Sequence, residues 1–489
     1  MTALPLPADT PRAAAPLCVD LDGTLIRTDL LAEAALEFVR RQPGSAWRLP
    51  LWALRGRLRF KNELAARVTL DPKSLPYRRE LLDHIEHHRA EGGSCYLVTA
   101  SPAPWAAAIS AHLGLFDEAI GSDAARNLKG RAKAAYLRQR FEHSGFAYVG
   151  DSRADRPVWQ AAQTRLGAGS AAARHLQLDD RIFRDPAGGA AALLRAMRPH
   201  QWLKNLLVFV ALLAAHRVAD PAALVAALLA FAAFSLCASS AYLINDLVDL
   251  PVDRVHPRKA GRPFASGAAS IGSGVLLAPA LLAAAAGLCL LLPPAFAVIL
   301  AVYFATTLAY SFTLKRRALV DVFTLAGLYT TRVIAGAAAI GVSISIWLLA
   351  FSMFMFLSLA LLKRQTELLE TARRAAVQIA GRGYRSGDAI LLTALGIASG
   401  FASVVVFCLY VAHAFATQLY RTPALLWLIC PLLLYWLSRM WLLAERGQMD
   451  DDPIVFTARD PISRAIVAAC LVIAAAAATI DMPFIPLED

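Results

Sequence analysis

Residues Tyr242–Gly267 read YLINDLVDLPVDRVHPRKAGRPFASG, and their charged part begins where a stretch free of charged residues, Pro221–Ile244, ends. An uncharged run of that length reads as a helix crossing a bilayer. Continued along the same helix, Asp246, Asp249 and Asp253 fall at i, i+3 and i+7, so their carboxylates share one face where the helix leaves the membrane. Asn245 joins that face. Pro251 removes one helix hydrogen bond inside the motif, which loosens the facing of Asp253. Carboxylates crowded in this way repel unless a cation sits between them, and an oxygen-only set with few protein ligands suits Mg2+ shared with substrate phosphates. Beyond them Arg254, Arg258, Lys259 and Arg262 are placed to hold the far side of a diphosphate. A solvated helix end is the plainer reading, but acids at the mouth of an apolar helix more often serve function.

At 489 residues the chain exceeds what one core holds, so at least two domains are expected. A hydrophobic fraction of 57% and a mean hydropathy of +0.49 exclude an ordinary soluble protein, and the apolar excess lies after about residue 200. The net charge of +12 does not point to nucleic acid, because the basic residues sit in loops between apolar segments and in the N-terminal part. The seven cysteines form no CxxC or metal-ligand pattern and read as buried hydrophobes in reduced surroundings. Residues 1–15 are Ala/Pro-rich and expected to be disordered, with no apolar core of a signal peptide, so the first domain is expected in the cytoplasm.

From residue 16 the chain alternates strands and helices. APLCVDLDGTL is a short buried strand running into a turn at Gly23, with Asp20 and Asp22 at its carboxyl end. A helical stretch, Leu30 to about Arg89, precedes a second strand, SCYLVTAS, ending at Thr99 and Ser101. After Lys129 and Lys133 a third strand, FAYVGDSRAD, ends at Asp151 and Asp155. Such an order predicts a parallel, doubly wound sheet with its site at the strands' carboxyl ends. These tips resemble the haloacid dehalogenase (HAD) superfamily over roughly residues 16–170. The resemblance implies Asp20 as nucleophile, Asp22 as general acid/base, Thr99 on the phosphoryl oxygens, Lys133 (or Lys129) neutralising them, and a Mg2+ site of Asp20, Asp151 and Asp155. The stretch between Leu30 and Arg89 would then be a small helical cap. A carboxylate attacks a phosphate only when metal and lysine cancel the repulsion and an acid protonates the leaving oxygen.

A polar connection, Gly169–Gly189, leads to RAMRPHQWLKNLLVFVALL, where Arg198, Trp202 and Lys204 fit an interfacial anchor and Lys204 has a phosphate contact as its second reading. The C-terminal domain, 191–489, is expected to be an all-helical bundle of about nine spans, near 203–216, 221–244, 272–290, 294–312, 320–341, 344–362, 389–412, 424–443 and 464–482. Lys315, Arg316, Arg317, Lys363, Arg364, Arg373, Arg374, Arg382, Arg385, Arg446 and Arg459 fall in loops on the side of the aspartate motif, and only Arg217 and Arg421 on the other. The positive-inside rule then places motif, basic loops and N-terminal domain in the cytoplasm and the C-terminal PFIPLED outside a multi-pass cytoplasmic membrane protein.

NDLVDLPVDRVHPRKAGRPFASG resembles the first aspartate-rich motif of the UbiA superfamily of intramembrane prenyltransferases. The second motif of its aromatic prenyltransferases, DxxxD, is incomplete here, because Asp321 is followed by Leu325. In its place stand Lys315, Arg316 and Arg317, then Lys363 and Arg364, where snorkelling with an ion pair to Glu367 is the bland alternative. LRAMRPHQWLKN, LLKRQTEL and DDPIVFTARDPISR, with the long motif, resemble the decaprenyl-phosphate phosphoribosyltransferase branch over most of residues 193–470. That resemblance implies transfer of 5-phosphoribose from phosphoribosyl pyrophosphate (PRPP) to a polyprenyl phosphate, with Asp246 and Asp249 at the reacting centre. Asn245, Arg254, Lys259, Arg262, Lys315, Lys363, Arg364 and Lys204 would serve the substrates, and Asp246, Asp249 and Asp253 the Mg2+. The HAD half would remove the product's 5-phosphate. Two other readings stay open: a prenyltransferase acting on an aromatic acceptor beside an unrelated phosphatase, and a transporter with a regulatory soluble domain.

Overall fold

The computed structural model describes residues 15–123, 127–176, 180–185, 188–373, 383–413, 419–449 and 452–481. The N-terminal stretch expected to be disordered (1–14), residues 177–179 and 186–187 of the expected connection, Arg374, Arg382 and PFIPLED lie outside them. The chain packs as two compact units, one of residues up to Met197 with Leu243–Leu277, the other of Arg198–Tyr242 with the residues from Ala278 on.

The first unit is built on a six-stranded sheet, β1 (Leu17–Val19), β2 (Cys95–Pro102), β3 (Glu118–Ser122), β4 (Ala147–Gly150), β5 (Thr164–Ala168) and β6 (Arg181–Phe183), in the order β3-β2-β1-β4-β5-β6. All pairings are parallel. Leu17, Cys18 and Val19 are at most 1% exposed, as the central strand of a sheet covered on both faces requires. The strand order turns back at β1, so the carboxyl ends of β1, β2 and β4 meet at a switch point, where such sheets hold ligands. The doubly wound sheet read from the sequence is present. Three of its strands escaped that reading because EAIGS, TRLGA and RIF carry no hydrophobic run, and β6 lies inside the stretch read as a connection.

Between β1 and β2 lie α1 (Leu30–Arg41), α2 (Arg48–Leu54), α3 (Arg57–Ala65) and α4 (Arg79–Ala90). Asp29 caps α1 by accepting from the Leu31 and Ala32 amides at 2.8 and 3.2 Å. The apolar side of α1 buries Leu30, Ala34 and Phe38, one turn apart, and Phe38 packs on Trp52 of α2 with ring centroids 5.2 Å apart. Arg78, fully buried, donates to both oxygens of Asp185 at 2.9 and 2.8 Å and to the Gly23 carbonyl at 3.1 Å, tying the end of the cap to the turn after β1.

Among the described residues eight helices are long and apolar enough to cross a membrane. They are α5 (Pro221–Val248), α6 (Ile271–Cys289), α7 (Pro294–Phe312), α8 (Val320–Ala339), α9 (Ile346–Arg373), α10 (Ala389–Ala412), α11 (Pro423–Glu445) and α12 (Pro461–Thr479). The chain is a multi-pass membrane protein. The expected span at 203–216 takes a different form: a 3-10 segment, Pro199–Phe209, runs into a short α-helix, Val210–Ala214. Hydropathy does not distinguish the two geometries, and at about 2.0 and 1.5 Å per residue the pieces still rise about 30 Å if laid end to end, the thickness of a hydrocarbon core. The 3-10 segment packs closely on α8, since a Cβ on Gly336 would lie 1.9 Å from the Val208 carbonyl oxygen.

Replacing Arg78 by Met should lower stability by about 2–3 kcal/mol, less than loss of a fully buried pair because Asp185 is half-exposed and keeps Arg27 at 3.1 Å. The thermal midpoint of the detergent-solubilised protein, followed by tryptophan fluorescence, measures it; an unchanged midpoint removes Arg78 as the tie.

Candidate active sites

The turn after β1 presents the first site. Gly23 adopts φ +72°, and a Cβ there would meet Asp151 Oδ2 at 2.3 Å, so only glycine lets the Asp151 carboxylate close over the turn. Asp20, Asp151 and Asp155 bring carboxylate oxygens within 4.8 Å of one another. Lys133 Nζ, 2% exposed, lies 2.8 Å from Asp20 Oδ1 and donates to Tyr148 Oη at 3.0 Å. Tyr148 in turn donates to Asp155 Oδ1 at 2.6 Å, and Ser152 donates to Asp155 Oδ2 through both its amide and its hydroxyl at 3.1 Å. Burial, partly offset by Lys133, pushes Asp20 up to about 7, and burial with the charges of Asp155 and Asp20 pushes Asp151 up to about 8. Acids held so close against their own repulsion fit a hard divalent cation, and an all-oxygen donor set fits Mg2+. Asp22 points elsewhere: it accepts from the Leu30 amide at 2.8 Å and the Ser101 hydroxyl at 2.6 Å, and burial raises its pKa. It is therefore suited to carry a proton. Thr99, fully buried, donates to Asp22 at 3.4 Å and accepts from the Ser101 amide at 3.0 Å.

The second site lies in the segment Leu243–Leu277 of the same unit. Helix α5 carries Asn245 and Asp246 in its last turn, and after Asp249 the chain starts a new short helix, Leu250–Val255, with Pro251 in its first turn where a missing amide costs nothing. Asp246 and Asp253 are both 2% exposed and converge on one nitrogen: Arg262 Nη1 lies 3.2 Å from Asp246 Oδ1 and 2.5 Å from Asp253 Oδ2. Burial raises the Asp253 pKa against the pull of Arg262. Two carboxylates sharing one positive group form a donor set that a divalent cation fits. Asp249 and Lys259 are half-buried nearby in sequence. Arg254 is engaged otherwise: its two terminal nitrogens lie 3.1 and 2.5 Å from the Glu33 carboxylate of α1, and Nε donates to the Ala265 carbonyl at 3.2 Å.

In the other unit, Lys204 and Lys363 both donate to Asp452 Oδ2, the latter at 3.3 Å. Burial opposes the charge on Asp452, yet Lys363 and Lys204 hold its carboxyl well below the usual range. Arg332, 4% exposed within α8, donates to Asn205 Oδ1 and Tyr303 Oη, each at 2.9 Å. Lys204 and Arg332 both face the Tyr329 ring, at 5.9 and 5.6 Å from its centroid. Asp321 and Arg364 are 0% exposed and paired, with Nε 2.7 Å from Oδ2, while Tyr310 donates to Asp321 Oδ1 at 2.8 Å and Arg364 also holds Glu367. Lys315 lies half-buried in the turn Leu314–Arg316.

Thus the structure brings together Asp20, Lys133, Asp151 and Asp155, with Asp22 and Thr99 beside each other, and it brings Asp246 and Asp253 onto Arg262. Of the two lysines open in the sequence, Lys133 occupies the site and Lys129 is exposed. Arg364 is locked to Asp321. Tyr148, Asn205, Arg332 and Asp452 were not picked out from the sequence, and Ser101 was seen only as a strand tip. A lone arginine inside an apolar span was a usable signal for Arg332; Asp452 lies 248 residues from Lys204, which no local pattern links.

Comparison with known proteins finds two families along the chain. The UbiA prenyltransferase family model matches residues 206–459, and the haloacid dehalogenase-like hydrolase model residues 17–160. A Sinorhizobium fredii protein, y4nM, is 40% identical over 457 residues, covering 92% of this chain and 88% of its own length. The decaprenyl-phosphate phosphoribosyltransferase of Mycolicibacterium smegmatis is 40% identical over 200 residues, 40% of this chain and 62% of its own. A solved UbiA homolog from Archaeoglobus fulgidus, bound to GPP and Mg2+, aligns at a TM-score of 0.45 and 17% identity over 58% of this chain and 99% of that one.

Asp20 and Asp151, with pKa values raised in the folded state, favour folding while protonated, and that contribution is lost as pH rises from about 4 through 7 and 8. Mg2+ should offset the resulting repulsion, so its addition should raise the thermal midpoint more at pH 8 than at pH 5. Asp151→Asn should remove its own share of that pH dependence and leave the part due to burial of Asp20. An equal Mg2+ effect at both pH values counts against the cluster as a cation site.

Proposed function

Because the chain belongs to the UbiA prenyltransferase family and carries a haloacid dehalogenase-like hydrolase domain ahead of it, we propose that it is a bifunctional membrane enzyme. The helical part transfers 5-phosphoribose from PRPP to a polyprenyl phosphate, and the hydrolase part removes the 5-phosphate to leave polyprenyl-phosphoryl-ribose. The observation that carries the reading is the charge inventory of the helical unit. Among the described residues, Lys204, Lys363 and Arg332 gather around Tyr329 and one carboxylate, Asp452, while Asp321 is occupied by Arg364. More cation than carboxylate in an apolar bundle calls for an anionic ligand. PRPP brings a diphosphate at C1 and a phosphate at C5, and the acceptor brings a third phosphoryl group; a prenyl diphosphate with an aromatic acceptor needs fewer cations. The 40% identity to a decaprenyl-phosphate phosphoribosyltransferase supports the same donor and acceptor.

In this reading an oxygen of the lipid phosphate bonds to C1 of the ribose as the C1–diphosphate bond breaks. Asp246, Asp249 and Asp253 would hold Mg2+, which neutralises the leaving diphosphate. In the hydrolase part Asp20 attacks the 5-phosphate, Lys133 offsets the negative charge, and Asp22 gives its proton to the departing ribose oxygen. Asp22, now a carboxylate, takes a proton from the water that hydrolyses the aspartyl-phosphate. Asp20, Asp151 and Asp155 would hold the Mg2+ of this step. Both reactions would face the cytoplasm, with Pro199–Ala214 as an additional crossing; the shared unit of the hydrolase sheet and Leu243–Leu277 supports this.

Asp246→Asn and Asp249→Asn should each abolish transfer from PRPP while the protein still inserts, since neither side chain satisfies a backbone group in the bilayer. Asp20→Asn should leave transfer intact and accumulate polyprenyl-phosphoryl-5-phosphoribose, where the wild type releases phosphate. Mass spectrometry of the lipid product reads both. Prenyl transfer to an aromatic acid with none from PRPP overturns the transferase reading, and identical phosphorylated lipids from wild type and Asp20→Asn overturn the coupled hydrolysis.

Lys363→Ala should raise KM for PRPP by about tenfold or more, the scale of one charge-assisted bond to phosphate. Arg364→Ala should instead lower the yield of folded protein, because it strands the buried Asp321.

A further inference from the structure

Between Phe38 and Asn62 the chain contains six arginines, one lysine and no acidic residue. Within this basic segment α2 turns two opposite faces. Inward, Trp52 is 7% exposed and packs on Phe38. Outward, Trp47, Leu51 and Leu54, at i, i+4 and i+7, are 61%, 43% and 84% exposed. Arg48 and Arg55 flank them, both exposed, and the Arg48 guanidinium lies 5.5 Å from the Trp47 ring centroid. An apolar stripe with an aromatic ring, rimmed by arginines alone, is the composition of a helix lying in a membrane interface.

The place of this stripe agrees with its chemistry. A cavity of about 200 Å³ is lined on one side by Glu37, Arg40 and Arg41 at the end of α1, and on the other by Leu247, Val248 and Val255 around the end of α5. The chain therefore leaves α1 beside the point where an apolar span ends, and six residues after Arg41 it exposes Trp47. Val252 and Val255, 56% and 72% exposed, present apolar surface of their own on the short helix after α5.

We propose that the cap segment Trp47–Arg55 lies in the headgroup region of an anionic bilayer, with Trp47, Leu51 and Leu54 in its apolar boundary and Arg48 and Arg55 on lipid phosphates. The absence of any acid over Phe38–Asn62 selects an anionic surface, and adjacency to the end of α5 supplies one within reach. Resting on the function proposed above, this contact would hold the hydrolase cap at the surface from which a lipid-linked phosphate arrives. The contact itself is tested without turnover.

Full-length protein carrying Leu54→Cys, spin-labelled and reconstituted at one copy per nanodisc, reads the position directly. The native cysteines are buried or half-buried, so labelled wild type serves as the blank. In phosphatidylglycerol discs the label should be open to oxygen and shielded from a water-soluble nickel chelate, unlike a label at Glu142→Cys in an exposed turn before β4. Arg48→Gln and Arg55→Gln should each lower the ratio of shielded to unshielded label about fivefold, and phosphatidylcholine discs should lower it likewise. A label at residue 54 as open to nickel as that at residue 142 in both lipids overturns the proposal. Shielding seen only when two copies share a disc overturns it too, in favour of contact between copies of this chain.

Discussion

One guanidinium nitrogen of Arg262 reaches both Asp246 and Asp253, and the shape of the aspartate-rich segment depends on that contact. Each carboxylate is 2% exposed, so without a positive group between them burial and mutual repulsion would drive a proton onto one or push the segment open. Pro251 has already ended α5 and started a new helix, which turns Asp253 back toward Asp246. Closing the loop through Arg262 then fixes the pair. The acids come together at the end of a 28-residue apolar helix because the chain spends a cation from its own loop to hold them there.

The same economy governs the helical unit. Arg332, Lys204, Lys363 and Arg364 would each be costly alone in an apolar bundle, and each is found against a carboxylate, an amide oxygen or a tyrosine hydroxyl. The pairings differ in balance. Arg364 meets both Asp321 and Glu367, whereas Lys204 and Lys363 share Asp452. The Arg364–Asp321 pair joins α8 to α9.

What the sequence could reveal follows from how local each signal is. LCV, CYLVTASP and AYVG are apolar runs ending in polar tips, so the three strands that position the candidate site were legible, and so were Asp20, Thr99 and Asp151 at their carboxyl ends. EAIGS and RIF owe their strand form to pairing with a neighbour, which leaves no mark in their own composition. The aspartates could be placed on one face by spacing alone. Their partner could not: Arg254, Lys259 and Arg262 all follow the motif, and only the folded loop shows that Arg262 takes the acids while Arg254 takes Glu33. Hydropathy found eight spans correctly, yet it could not see that PHQWLKNLLVF winds as a 3-10 segment, because Lys204 and Asn205 are satisfied by residues far along the chain.

Arg254 also gives a physical reason for joining the two catalytic parts in one chain. Its side chain is 6% exposed and Glu33's is 7%, and the pair is bidentate, so it resists solvent screening far better than a surface ion pair. Close by, a Cβ on Gly267 would lie 2.5 Å from the Arg27 side chain, so the loop after the aspartates fits against the turn that follows Asp22. Glu33 stands one turn into α1, and the first amide of α1, Leu30, is bonded to Asp22. Residue 254 is next to Asp253. The acid assigned to the hydrolase and an acid assigned to the transferase are thereby linked through a single buried ion pair and a few covalent steps. A flexible tether would only raise the local concentration of one centre near the other. A packed contact of this kind also fixes their orientation.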